Sequence, residues 1–207
     1  MRSPLSASTT GIRLAWACIA FTATTFFFSF AASAEPVLGS ARAPVTIVEY
    51  GSLTCGYCVR FHREVMPLIK TRYIDTGQVR FIYRDFPMGT AATRGTVAAR
   101  CAGDQYYTML DALYATVGGW SRARDVDSAL VQQAASLGFD KEPFRMCLED
   151  PEHLRVITDE QRNATAQYGV LGTPTFLING KIVRGFKNIE EIHVLMRETQ
   201  NSGKIVR

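Results

Sequence analysis

Cys55-Gly56-Tyr57-Cys58 places two thiols one helical turn apart. They follow the strand-like run Thr46-Ile47-Val48-Glu49-Tyr50 and a short turn, and they open a helix-like run that starts near Val59. A helix N-terminus offers unpaired N–H groups and the positive end of a dipole, and both stabilise a thiolate. The thiolate attacks disulfides, so a lowered pKa activates the first cysteine. The second can close a ring and release the mixed disulfide. A structural disulfide or half of a zinc site are the competing readings. Closing so short a loop removes little unfolded-state entropy. Zinc takes four Cys or His ligands, and a second closely spaced pair is absent. His62, His153 and His193 form no ligand pair with a cysteine at metal spacing and read as ordinary helix residues. No metal and no organic cofactor is expected.

The chain around this pair has 207 residues, which suits one domain, or one domain with an insertion. Arg2 and Arg13 are the only charges before Glu35, and the apolar stretch Leu14 to Ala32 ends in Ala32-Ser33-Ala34. That pattern reads as a secretory signal peptide over 1–34, cut after Ala34. An uncleaved membrane anchor is the alternative, since the stretch approaches spanning length. The net charge of +4 falls when the two arginines leave, which is too mild a balance for a nucleic-acid partner. Of five cysteines, Cys18 leaves with the leader; Cys55, Cys58, Cys101 and Cys147 remain and allow three pairings into two disulfides. The expected location is the periplasm, an oxidising compartment.

The elements that must position the dithiol can be read in order. Val45 to Tyr50 is a buried strand. Cys58 to about Tyr73 is helical, with a kink at Pro67. Val79 to Phe86 alternates as a second strand. From Thr90 to about Gln167 the spacing is helical and no convincing strand occurs; Asp125 or Asp127 caps one helix and Gly169 stops another. Thr175 to Ile178 and Lys181 to Arg184 flank Asn179-Gly180, a strong hairpin signal. Ile189 to Thr199 closes the chain as an amphipathic helix. A β-α-β unit with CxxC at the head of its helix suggests an α/β, thioredoxin-like redox fold, completed by the final β-β-α. The expected domain spans 35–207, with an all-helical insertion at about 90–167.

The chain resembles the DsbA-like thioredoxin-fold thiol–disulfide oxidoreductases of bacterial envelopes. The matching pieces are Glu49-Tyr50-Gly51-Ser52-Leu53-Thr54-Cys55-Gly56-Tyr57-Cys58, Arg80 to Pro87, Ala99-Arg100-Cys101-Ala102, and Gly172-Thr173-Pro174-Thr175 to Gly180. The resemblance implies Cys55 as nucleophile, Cys58 as resolving thiol and Pro174 as a cis-proline facing them. A cis bond would bring the Thr173 backbone beside the dithiol, where it can pair with an extended substrate peptide together with Gly56 and Tyr57. It also implies that Glu49 lies beneath the dithiol and exchanges a proton with Cys58; a surface carboxylate is the alternative. Cys101 and Cys147 fall in the helical insertion. They read as free buried thiols or, as in some relatives, as a second disulfide, which requires Cα atoms within about 7 Å. Phe86, Tyr106, Tyr107, Tyr114 and Trp120 either line a groove near the dithiol or pack the insertion.

The expected function is disulfide exchange with unfolded or partly folded exported proteins that carry cysteines, as an oxidase reset by a membrane redox partner. The best-known DsbA enzymes have Pro-His between their cysteines, and Gly56-Tyr57 departs from that. Gly-Tyr, and Thr before the cis-proline, also resemble the envelope isomerases. Those enzymes have an N-terminal dimerisation domain, whereas only the lead-in Glu35 to Ala43 precedes the first strand here, so a monomer is expected. An isomerase or reductase is the alternative direction. A non-catalytic peptide-binding or chaperone module is the alternative from another class.

Overall fold

Val45–Gly51, rich in β-branched and aromatic residues, forms β1, and all of it except Thr46 is buried. That burial follows from its place inside the sheet, which in the computed structural model, describing residues 35–202, runs β2-β1-β3-β4. The expected signal peptide lies outside the described residues. β2 (Val79–Asp85) is parallel to β1, with Val45 opposite Val79 and Gly51 opposite Asp85. β3 (Thr175–Ile178) runs antiparallel on the other side of β1, placing Glu49 opposite Phe176. β4 (Lys181–Arg184) is the edge. Asn179 and Gly180 have φ of 46° and 85°, the two positive values that a tight hairpin turn requires. The lead-in contributes an antiparallel bridge between Leu38 and Phe81.

The helix after the cysteines is broken, as Pro67 requires. α1 covers Gly56–Glu64, Val65 interrupts, and α2 (Met66–Ile69) takes Pro67 into its first turn, where its missing N–H is least costly. A wide turn, Lys70–Ile74, follows.

Between β2 and β3 the described residues form helices and connecting loops and no strand: α3 (Thr90–Cys101), α4 (Tyr106–Ala115), α5 (Val117–Trp120), α6 (Val126–Ser136), α7 (Lys141–Glu149) and α8 (Glu152–Tyr168). Asp125 is the cap of α6, its side chain accepting from the Ser128 N–H at 3.0 Å. Gly169, with φ of 60°, ends α8 in a left-handed cap. α9 (Ile189–Ser202) closes the fold.

The larger core joins Ile47, Phe81, Phe176 and Ile178 of the sheet to Phe61 of α1, to Leu110 and Leu113 of α4, and to Ile192 of α9. On the opposite face Val48, Tyr50, Ile82 and Leu177 meet Ala164 of α8 and Val170. Tyr106, Tyr114 and Trp120 are buried in packing, so they belong to the core, not to a groove. Trp120 donates its indole N–H to the Leu113 carbonyl at 2.8 Å. Its ring lies so close to Gly95 that a Cβ there would come within 2.7 Å of it. Beneath them, Asp85 at the end of β2 is buried and bonded by Arg100 of α3 at 2.9 Å and by the Tyr106 hydroxyl at 3.2 Å. This network ties the insertion to the sheet. Burial raises the Asp85 carboxyl to about 6 against the opposing pull of Arg100.

Candidate active site

Cys55 occupies the N-cap of α1, with extended φ and ψ of −74° and 120°. Its carbonyl accepts the first helical bond, from the Val59 N–H at 2.9 Å, so its side chain stands where the free N–H groups of the first turn converge. Cys55 is half-buried and Cys58, one turn deeper, is fully buried; both are free thiols in this structure. The loop before β3 faces them. The Thr173–Pro174 peptide is cis, and the Cys55 thiol donates to the Thr173 carbonyl at 3.3 Å. The Gly185 N–H bonds the Pro174 carbonyl at 2.9 Å, which fixes this loop to the end of β4.

The two thiols are electrostatically unequal. Hydrogen bonding from Cys58, then from the Thr173 side chain and the N–H groups of Cys58 and Tyr57, outweighs partial burial and lowers the Cys55 pKa to about 5. Burial, the hydrogen bond to Cys55 and the charge of Glu49 all push the Cys58 thiol upward. The arrangement holds a thiolate at the surface and a proton on the sulfur beneath it.

Glu49 is fully buried in β1, one residue before Tyr50. Its Oε2 lies 2.9 Å from Nε2 of His62, which is itself buried. His62 stands four residues after Cys58 on α1, so the two share the inward face of that helix. The imidazole stacks on Tyr114 of α4, 3.9 Å between centroids and 12° between planes. The Tyr114 and Tyr83 hydroxyls are 2.8 Å apart. Tyr83 fits only because residue 51 is glycine, since a Cβ there would lie 2.5 Å from its ring. The far atoms of the pair, Oε1 of Glu49 and Nδ1 of His62, are buried with no hydrogen-bond partner.

His62 is therefore a correction to the reading of the histidines as ordinary helix residues. The signal available was its spacing: a histidine four residues after an inward-facing cysteine sits on the same buried stripe. His153 is a second correction, since its Nε2 is 3.3 Å from the Cys147 sulfur.

Around the thiolate the surface is apolar and exposed. Tyr57 is 62% exposed, Met88 55% and Leu171 79%. Beside Cys55 a cleft of about 530 Å³ is lined by Gly56, Val59, Met88, Ala91 and Val117. On the other flank Arg60 lies over the Phe186 ring, 4.4 Å from its centroid.

The remaining cysteines are joined. Cys101, ending α3, and Cys147, in the last turn of α7, form a disulfide with a Cα separation of 5.9 Å.

A family model described as thioredoxin matches residues 31–197. The chain belongs to the thioredoxin family. Its fold, a mixed sheet interrupted by a helical insertion, is that of the DsbA proteins: it superposes on Wolbachia pipientis alpha-DsbA1 with a TM-score of 0.73 at 27% identity, covering 82% of this chain and 92% of that one. It is 25% identical over 173 residues to disulfide bond formation protein D of Bacillus subtilis, covering 76% of this chain and 73% of the relative. It is 29% identical over 148 residues, 70% of its length, to a Rickettsia bellii protein provisionally named a protein-disulfide oxidoreductase. The chain spans only 57% of the length of that relative.

Proposed function

We propose that the chain is an exported thiol–disulfide oxidoreductase that oxidises protein substrates through Cys55 and Cys58. The observation that carries this reading is the inequality of the two thiols, an accessible stabilised thiolate at Cys55 above a buried protonated Cys58. A stabilised thiolate favours the reduced enzyme and makes the disulfide a stronger oxidant. In the oxidised enzyme a substrate thiolate attacks the Cys55 sulfur and breaks the Cys55–Cys58 bond. Cys58 leaves and takes a proton from Glu49, the buried carboxyl whose charge bears on it. The second substrate thiolate then attacks the substrate sulfur of the mixed disulfide, and Cys55 departs as the thiolate. Two electrons pass from the substrate dithiol to the Cys55–Cys58 pair. A membrane redox partner removes them.

His62 acts as a positioning residue in this scheme, holding Oε2 of Glu49 and leaving Oε1 for Cys58. Thr173 offers its backbone to an extended substrate beside Cys55, and the exposed apolar rim of Tyr57, Met88 and Leu171 suits an unfolded chain. Cys101–Cys147 braces the insertion. Residues 1–34 direct export to the periplasm, and the enzyme works as a monomer. Among the described residues no helix is long and apolar enough to cross a membrane.

Equilibration against glutathione, read by mass-tagging free thiols, tests the direction. An oxidase gives a potential toward about −120 mV, and a value near about −270 mV overturns that assignment in favour of a reductase.

A further inference from the structure

His153 of α8 places Nε2 3.3 Å from the Cys147 sulfur and 3.8 Å from the Cys101 sulfur. The three atoms belong to three different helices, α3, α7 and α8, and all three residues are partly exposed. This cluster plays no part in the chemistry assigned to Cys55 and Cys58.

Zinc binds sulfur at about 2.3 Å and imidazole nitrogen at about 2.0–2.1 Å, so tetrahedral geometry sets a sulfur-to-nitrogen spacing of about 3.6 Å. The two observed spacings bracket that value. Two thiolates sharing the same ion sit about 3.8 Å apart, a separation open to them only once their bond is broken. We propose that Cys101, Cys147 and His153 form a redox-gated zinc site, closed as a disulfide and opened by a dithiol reductant.

The step balances. The dithiol gives two electrons to the Cys101–Cys147 bond and becomes a disulfide, and its two protons pass to the cysteine sulfurs. Zinc then binds both sulfurs and Nε2, releasing two protons to solvent. Three protein ligands leave the fourth position to water.

The surroundings suit such ligands. His153 is partly buried, and a neutral imidazole is the form that binds a metal. The positive charges of Arg100 and Arg94 bear on the same ring, against the opposing charge of Asp150. Cationic neighbours favour cysteine as thiolate. With two thiolates the occupied site is neutral overall.

The test uses the full chain carrying Cys18→Ser, Cys55→Ser and Cys58→Ser, which isolates the cluster and makes the outcome independent of the oxidase assignment. The protein is reduced with a phosphine and titrated with zinc against a chromophoric chelator. Cobalt substitution reports thiolate ligation through its charge-transfer band. One zinc per reduced chain is expected, with none retained by the oxidised chain. His153→Gln, which leaves the disulfide intact, should weaken zinc binding at least tenfold. A reduced chain that takes up no zinc, folded or not, overturns the proposal. Equal uptake by the oxidised chain or undiminished affinity in His153→Gln does the same.

Discussion

Two cysteine pairs in one chain have opposite fates, and the difference lies in what each sulfur touches. Cys55 and Cys58 sit two residues apart on one helix, with the outer sulfur at the helix N-terminus and the inner one fully buried. Local geometry makes that pair unequal, favouring the thiolate at Cys55 and the protonated thiol at Cys58. Cys101 and Cys147 are separated by 46 residues and come from two helices that pack against each other. Closing that long loop restricts the unfolded chain, so their bond stabilises the fold. The short-range pair is made unequal by its own helix, and the long-range pair joins two helices.

Five outcomes would break or sharpen this contrast. The largest concerns Cys55→Ser, which should lower oxidation of a reduced test peptide by about 10⁴-fold or more. Retained oxidation would assign the chemistry to another group. Next, replacing Cys101 and Cys147 with Ala should cost about 4 kcal/mol of stability, the loop-entropy value for a 46-residue separation. A denaturant midpoint that does not move would remove the structural role, and a peptide oxidation rate that collapses in the folded variant would erase the division between the pairs.

Glu49→Gln should slow the step in which Cys58 gains or loses its proton by about 100-fold, with little change in alkylation of Cys55. His62→Leu should reproduce part of that loss by freeing the carboxylate, and rapid-quench kinetics of the mixed disulfide separates the two steps. Both variants behaving as wild type would leave Glu49 a passive buried acid. The smallest effect is a titration. Alkylation of reduced Cys55 should follow a pH midpoint near 5. The sign for stability follows from the lowered pKa. The thiolate's stabilisation of the reduced form is fully present above the unfolded thiol's range, near pH 9, and is lost as pH falls through about 5. A midpoint of about 8.5, the ordinary thiol value, would remove the stabilised thiolate from Cys55.

Much of the scaffold was legible along the chain because its signals are local. β1 and β2 came from alternation and apolar runs, the break near Pro67 from ring geometry, and the hairpin from Asn179-Gly180. The helical insertion was visible as a change of period after Thr90. The short bridge of Leu38 to Phe81 was not, because a single pairing leaves no periodic trace. His62 was misread for another reason. Its burial depends on Tyr114, far along the chain, which stacks on its ring.

By itself, the amino-acid sequence determined the dithiol, its place between a strand and a helix, and the element order around it, because turn chemistry and side-chain period act over a few residues. Only the tertiary structure decided which partners those residues meet. It set Thr173 against Cys55 across 118 residues, paired Glu49 with His62 beneath the buried thiol, and seated His153 on the joined sulfurs of Cys101 and Cys147. Those contacts arise when distant segments pack into one core, and no local pattern encodes which segments will do so.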